Sequence, residues 1–104
     1  MTPILENQLR TRYPAMTAGL DGFWHGDGWF RVVSRLLELL EPHGVKLLQV
    51  KAKFGLLRVY TDKDGDAEVQ RLVADAEWRS SHICQRCGFG DWSGLVGGCA
   101  GCEP

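Results

Sequence analysis

The 104-residue chain has no apolar run approaching the ~20 residues that a bilayer-spanning helix needs, so no membrane segment is expected. Its opening stretch, MTPILENQLRTRYP, lacks a basic region followed by an apolar core, and no secretory signal is expected there. Charge of one sign is not in excess. The 12 Lys and Arg face 13 Asp and Glu, which speaks against a strongly basic nucleic-acid-binding body. Walker, nucleophile-elbow and H-E-x-x-H motifs are missing, and no internal repeat is visible. Cysteine is missing from the first four-fifths of the chain. What is present is 44% hydrophobic and 24% charged, a globular balance that excludes wholesale disorder, a collagen-like fibre and a coiled coil. The length suits one compact domain or one domain with a small appendage. A chain of this size buries roughly two-thirds of its unfolded surface, enough for one modest core.

The cysteines carry the strongest chemical signal. Cys84, Cys87, Cys99 and Cys102 form two C-x-x-C pairs separated by eleven residues. One such turn brings two thiolates close enough to share an ion, and two turns supply the four sulfurs of a tetrahedral zinc site. Gly88 directly follows Cys87, where a positive φ points its N–H toward a ligand sulfur, and Gly101 relaxes the second turn in the same way. Residues 88–101 hold six glycines and only four sizeable apolar side chains, Phe89, Trp92, Leu95 and Val96. Ordering such a segment costs much conformational entropy, with little burial to offset it. A cross-link is needed, and zinc supplies about 10–16 kcal/mol of apparent free energy in finger-like peptides. Two disulfides, with three pairings open, are the alternative, as is a redox-active pair. The expected reducing compartment favours metal, and no thioredoxin-like βαβ pattern precedes Cys84. His82 is a substitute ligand by position, although four sulfurs already complete the set. With every position filled by protein, the Zn2+ is expected to be structural, since catalytic zinc keeps one position open.

The remaining chain reads as an α+β body, with two to three helices on a small antiparallel hairpin or sheet. The body spans residues 1–81, and a four-cysteine zinc lobe, 82–104, packs on it as one compact unit. Residues 3–12 are expected to be helical. Thr2 caps this helix, Pro3 takes its first position, Ile4, Leu5 and Leu9 form its apolar side, and Pro14 opposes continuation. Residues 19–28 form a glycine-rich loop carrying Phe23 and Trp24, which either meet a partner or cover the core. Asp27 is expected to cap a helix over about 28–41, whose apolar positions follow the 3.6-residue period until Pro42 and Gly44. The period then changes to two: Leu48, Val50, Ala52 and Phe54 alternate with Gln49, Lys51 and Lys53. This predicts strands at about 45–53 and 56–61 joined near Phe54–Gly55, or one strand with a bulge at the glycine. The DKDGD run at 62–66 has its glycine and its twelfth residue wrong for a calcium loop, and Asp66 instead caps a helix over about 67–80.

Charge is segregated. Residues 44–61 carry Lys46, Lys51, Lys53 and Arg58 and no acid, whereas residues 62–77 carry six acids against Lys63 and Arg71. Lys51 and Lys53 either touch a phosphate backbone or keep a solvated sheet face from aggregating.

Three segments, GDGWF at 26–30, QVKAKFGLLRVY at 49–60 and AEWRSSHICQRCG at 76–88, together resemble a group of small bacteriophage and prophage proteins. That resemblance covers most of the chain from residue 26 onward and implies a cytoplasmic protein of an infected or lysogenic bacterium. It implies no activity, and the zinc expectation rests on this chain's own spacing. Three functions follow. The first is a non-enzymatic binder of a host protein, such as an anti-CRISPR-like inhibitor of a defence system, using Phe23, Trp24, Phe89 and Trp92. The second is a nucleic-acid-binding zinc-ribbon-like module, with Lys46, Lys51, Lys53, Arg58 and Arg86 on phosphates and Trp92 or Phe89 stacked on bases. The third is an enzyme using His25 and Asp27 as an acid/base pair. No enzymatic activity and no small-molecule substrate are expected.

Overall fold

The computed structural model describes residues 1–88. These residues form four α-helices and a three-stranded mixed sheet, so the α+β class holds, with one more helix and a different sheet than the sequence suggests. Cys99, Cys102, Phe89 and Trp92 lie outside the described residues.

Helix α1 spans Pro3–Arg12. Thr2 occupies the position before it with extended backbone, but its side chain makes no cap; its N–H is instead accepted by Asp27 Oδ1 at 2.7 Å. Leu9 is buried, while Ile4 is 73% exposed and contributes nothing to the core. Pro14 does not end helical structure. The chain breaks at Tyr13 and restarts as the short helix α2, Pro14–Thr17, because a proline's missing N–H is harmless at a first helical position. Arg10 ties this corner together by donating to the carbonyls of Thr17 at 3.0 Å and Leu20 at 2.9 Å.

Phe23–Trp24, read from the sequence as loop, is strand β1. It runs parallel to β2, Leu47–Lys53, which pairs antiparallel with β3, Leu56–Thr61. The sheet is therefore mixed rather than antiparallel. A two-residue strand has no length in which to show a period, and its pairing with residues about 27 positions away is invisible to local pattern. The hairpin turn does fall at Phe54–Gly55, with φ of 55° and 76°. Two successive left-handed residues match the twist of the flanking strands. The alternation through β2 is broken, however. A register irregularity between Leu47 and Gln49 turns both Leu47 and Val50 inward and leaves Leu48 outside, and Phe54 at the turn is 89% exposed.

Helix α3, Phe30–Leu40, buries Val33, Leu36, Leu37 and Leu40. Asp27 does not cap it: a 3₁₀ turn, Asp27–Trp29, leads into the helix, and the Asp27 carboxylate serves α1 instead. Helix α4, Ala67–Ser80, begins as expected, with Asp66 Oδ1 accepting the N–H groups of Glu68 at 3.0 Å and Val69 at 3.2 Å.

Phe23, Val50, Leu57 and Val59 turn from the sheet into one core shared with Trp29, Leu36, Leu37 and Val69. Both sheet edges are closed by side chains. On the β3 edge, Leu57 N–H donates to Ser80 Oγ at 3.0 Å and Val59 N–H to Glu77 Oε2 at 3.1 Å. On the β1 edge, Phe23 N–H donates to Glu6 Oε1 at 3.1 Å. Ser80→Ala leaves the buried Leu57 N–H without its acceptor, so urea unfolding should report a loss of about 1–3 kcal/mol.

Candidate functional site

The C-terminal turn begins where α4 ends. Ser81 and His82 continue the helix as a turn, with Ile83 N–H donating to Ser80 O at 3.2 Å. Cys84 is buried and Cys87 exposed. Gly88 has φ of 79°, and its N–H donates to Cys84 O at 2.8 Å, closing the C-x-x-C turn on itself. A residue with a Cβ is strained at that φ, so the glycine after the second cysteine is a geometric requirement. Two thiols are thereby held on one tight turn, the arrangement that half of a tetrahedral sulfur site needs.

This turn is seated in a backbone slot formed by the GDG segment. Gly28 N–H donates to Gln85 O at 2.7 Å, and Gly26 N–H to the Gln85 side-chain oxygen at 3.1 Å. A Cβ on Gly28 would lie 2.1 Å from Cys84 O and 2.5 Å from Gly88 N. A Cβ on Gly26 would lie 2.1 Å from Gln85 O. Neither position admits a side chain unless the backbone moves. Trp29, fully buried one residue further on, donates from Nε1 to Ile83 O at 2.8 Å and fixes the turn's first residue to the core. The slot and Gln85 were not recognised in the sequence. Their signal is two glycines spaced i, i+2 beside a tryptophan, which allows a second backbone to approach from one side.

The residues proposed for acid/base chemistry are otherwise engaged. His25 Nδ1 lies 2.8 Å from Gly26 O, and its Nε2 is buried with no hydrogen-bond partner among the described residues. Burial pushes the imidazole pKa below its ordinary 6.5. Asp27 accepts from Thr2 rather than from His25. His82 packs its ring on Trp78 with centroids 4.6 Å apart.

The candidate partner residues divide. Phe23 is in the core, whereas Trp24 is 60% exposed on the sheet's open face. Register places Trp24, Lys51 and Arg58 side by side across the three strands, with Gln49 paired to Tyr60 on the same face. Lys51 Nζ lies 5.8 Å from the Tyr60 ring centre, and Lys53 Nζ 5.7 Å from that of Phe54. Arg58 faces Glu77 at 3.7 Å. Tyr60 and Arg58 share a face because they are two residues apart on β3, a parity legible in LLRVYT but not used to group them with Trp24.

Comparison with protein-family models, curated proteins and solved structures finds no match to this chain. No helix among the described residues is long and apolar enough to cross a membrane. Among the described residues no three His, Cys, Asp or Glu side chains gather as a metal cluster, and two of the four cysteines lie beyond them.

Gly28→Ala should dislodge the cysteine turn, lowering stability by about 1–3 kcal/mol or more in urea unfolding and speeding thiol labelling of Cys84. Gly65→Ala, where a Cβ meets nothing within 4 Å, should change neither.

Proposed function

We propose that this chain is a small phage-type zinc-binding protein that acts by non-enzymatic attachment to a macromolecule of its bacterial host, in the cytoplasm. The observation that carries the proposal is the seated C-x-x-C turn: Cys84 and Cys87 on one tight loop, Gly88 left-handed, and the whole turn locked to Gly26 and Gly28. Cys99 and Cys102 supply the other two thiolates, so the ion is closed off by protein and structural in role. Support for a non-enzymatic mode comes from His25 Nδ1, which lies against Gly26 O, and Asp27 Oδ1, which accepts from Thr2 N–H, rather than the two side chains meeting each other.

A host protein is the first partner class. Aromatic residues dominate such interfaces; of the four aromatic residues expected there, Phe23 is buried in the core and Trp24 is exposed. The specific role, inhibition of a bacterial defence system, is supported by chain size and by the resemblance to phage proteins. The second reading, a nucleic-acid-binding module, is favoured by one observation: Lys51 and Arg58 lie in register with Trp24 on the open sheet face.

Elemental analysis of freshly prepared protein should find one zinc per chain. Cys84→Ser should remove most of the metal and lower the melting temperature by at least several degrees. Unchanged metal content and melting in that variant, or a native mass showing paired oxidised thiols, would overturn the assignment.

A further inference from the structure

We propose that the open face of the β1-β2-β3 sheet is a docking platform for a short run of single-stranded nucleic acid. The proposal rests on the second reading above, the nucleic-acid-binding module, and names its ligand and surface; it does not depend on zinc.

Sheets most simply recruit an extended partner by adding a strand at an edge. Here both edges are taken. Ser80 and Glu77 hold the outward N–H groups of β3, Glu6 holds that of Phe23, and the Met1 amino group donates to Phe23 O at 3.0 Å. Recognition is therefore left to the face.

That face carries two rings on its outer strands, Trp24 on β1 and Tyr60 on β3, 60% and 47% exposed. Lys51 lies on the strand between them, and Arg58 completes its row. Adjacent strands are about 4.8 Å apart, so rings on β1 and β3 stand about 10 Å apart or more and address two different bases. The Trp24 ring is set before any ligand arrives. Its Nε1 donates to Asp21 Oδ1 at 3.3 Å, and its six-membered ring passes close enough to Gly22 that a Cβ there would lie 3.1 Å away. A ring fixed by its edge, with an open face, is a stacking surface that any base can use.

Charge favours the same ligand. The stretch 44–61 that builds the hairpin holds four cations and no acid. Lys51 and Lys53 pair with no carboxylate among the described residues; each ammonium lies near an aromatic ring instead. The surface between the two rings is Lys51, Gln49 and Arg58, polar and cationic. A protein hot spot needs a desolvated, well-packed centre, which this arrangement does not offer. A phosphate backbone needs point charges flanked by stacking rings, which it does. The overall charge of -1 and the Arg58–Glu77 contact at 3.7 Å limit the ligand to a short strand, with two or three phosphates engaged.

The test is fluorescence anisotropy of a labelled thymidine oligonucleotide of about eight nucleotides with the full, zinc-loaded chain at low salt. Saturable binding is expected. It should weaken with salt on a log–log slope of about −1.5 to −2, from roughly 0.7 per phosphate released on single strands. Trp24→Ala should weaken binding on the order of tenfold without moving the melting temperature, the scale of one lost stacking contact. Lys51→Gln should flatten the salt slope. A blunt duplex of mixed sequence should bind more weakly, because its bases are already stacked. The proposal is overturned by absence of binding at low salt, by binding that Trp24→Ala leaves unchanged, or by equal competition from poly-glutamate, which would mark the face as a site for acidic protein. Zinc and melting are measured on the same samples. Lost oligonucleotide binding in folded, zinc-loaded protein removes the platform alone, whereas freshly prepared protein that binds the oligonucleotide but contains no zinc removes the metal assignment alone.

Discussion

The structure turns on a place where two backbones touch. Gly26 and Gly28 lack the one atom that would keep the Cys84–Gln85 peptide away, and their N–H groups fill Gln85's main-chain and side-chain oxygens. The cysteine turn, Cys84 to Gly88, carries few apolar side chains with which to attach itself to a core. Directed hydrogen bonds at close range do that work here, reinforced by the Trp29 indole bonded to Ile83. The same glycine segment follows β1 and precedes α3, so the position of the cysteine turn is coupled to the sheet register on one side and to the central helix on the other.

A second constraint shapes what the surface can do. Each sheet edge presents unpaired backbone groups, and unmet edges invite uncontrolled pairing. This chain spends Ser80, Glu77 and Glu6 on those edges, and two of the three belong to charged residue types. The helices lie over the buried face, leaving only the opposite face for recognition. Of the six acids on α4 and its preceding turn, Glu77 alone serves an edge, while four cations and no acid lie on the hairpin stretch.

How much of this was legible follows element by element. Helix α4 was readable to its ends because Asp66, a local cap, and the apolar residues Val69, Leu72, Val73 and Ala76 at helical spacing all lie within one segment. The hairpin was readable because its turn and its alternation are local, and the left-handed Gly88 because a glycine after C-x-x-C has few other uses. What escaped depends on distant partners. Strand β1 exists only because Val50 and Lys51 lie beside it, and Phe23 is buried for the same reason. Asp27 looked like a cap for the helix after it, yet its carboxylate serves the start of α1, 25 residues away in sequence. Leu48 follows the inward parity but sits at an irregularity that no residue type announces. Of the cysteines, the first pair and its glycine were legible as a turn. Their seat was not, because a steric slot is a property of two segments at once.

Amide hydrogen exchange at Gly28 tests the central contact most directly. Its N–H points at Gln85 O over 2.7 Å, inside a slot closed by the cysteine turn. In the intact protein this amide should exchange as slowly as the core strand amide of Val50. A Gly28 amide that exchanges in the intact protein at the rate of an open loop would contradict the account, because the turn would then not be seated on the body at all.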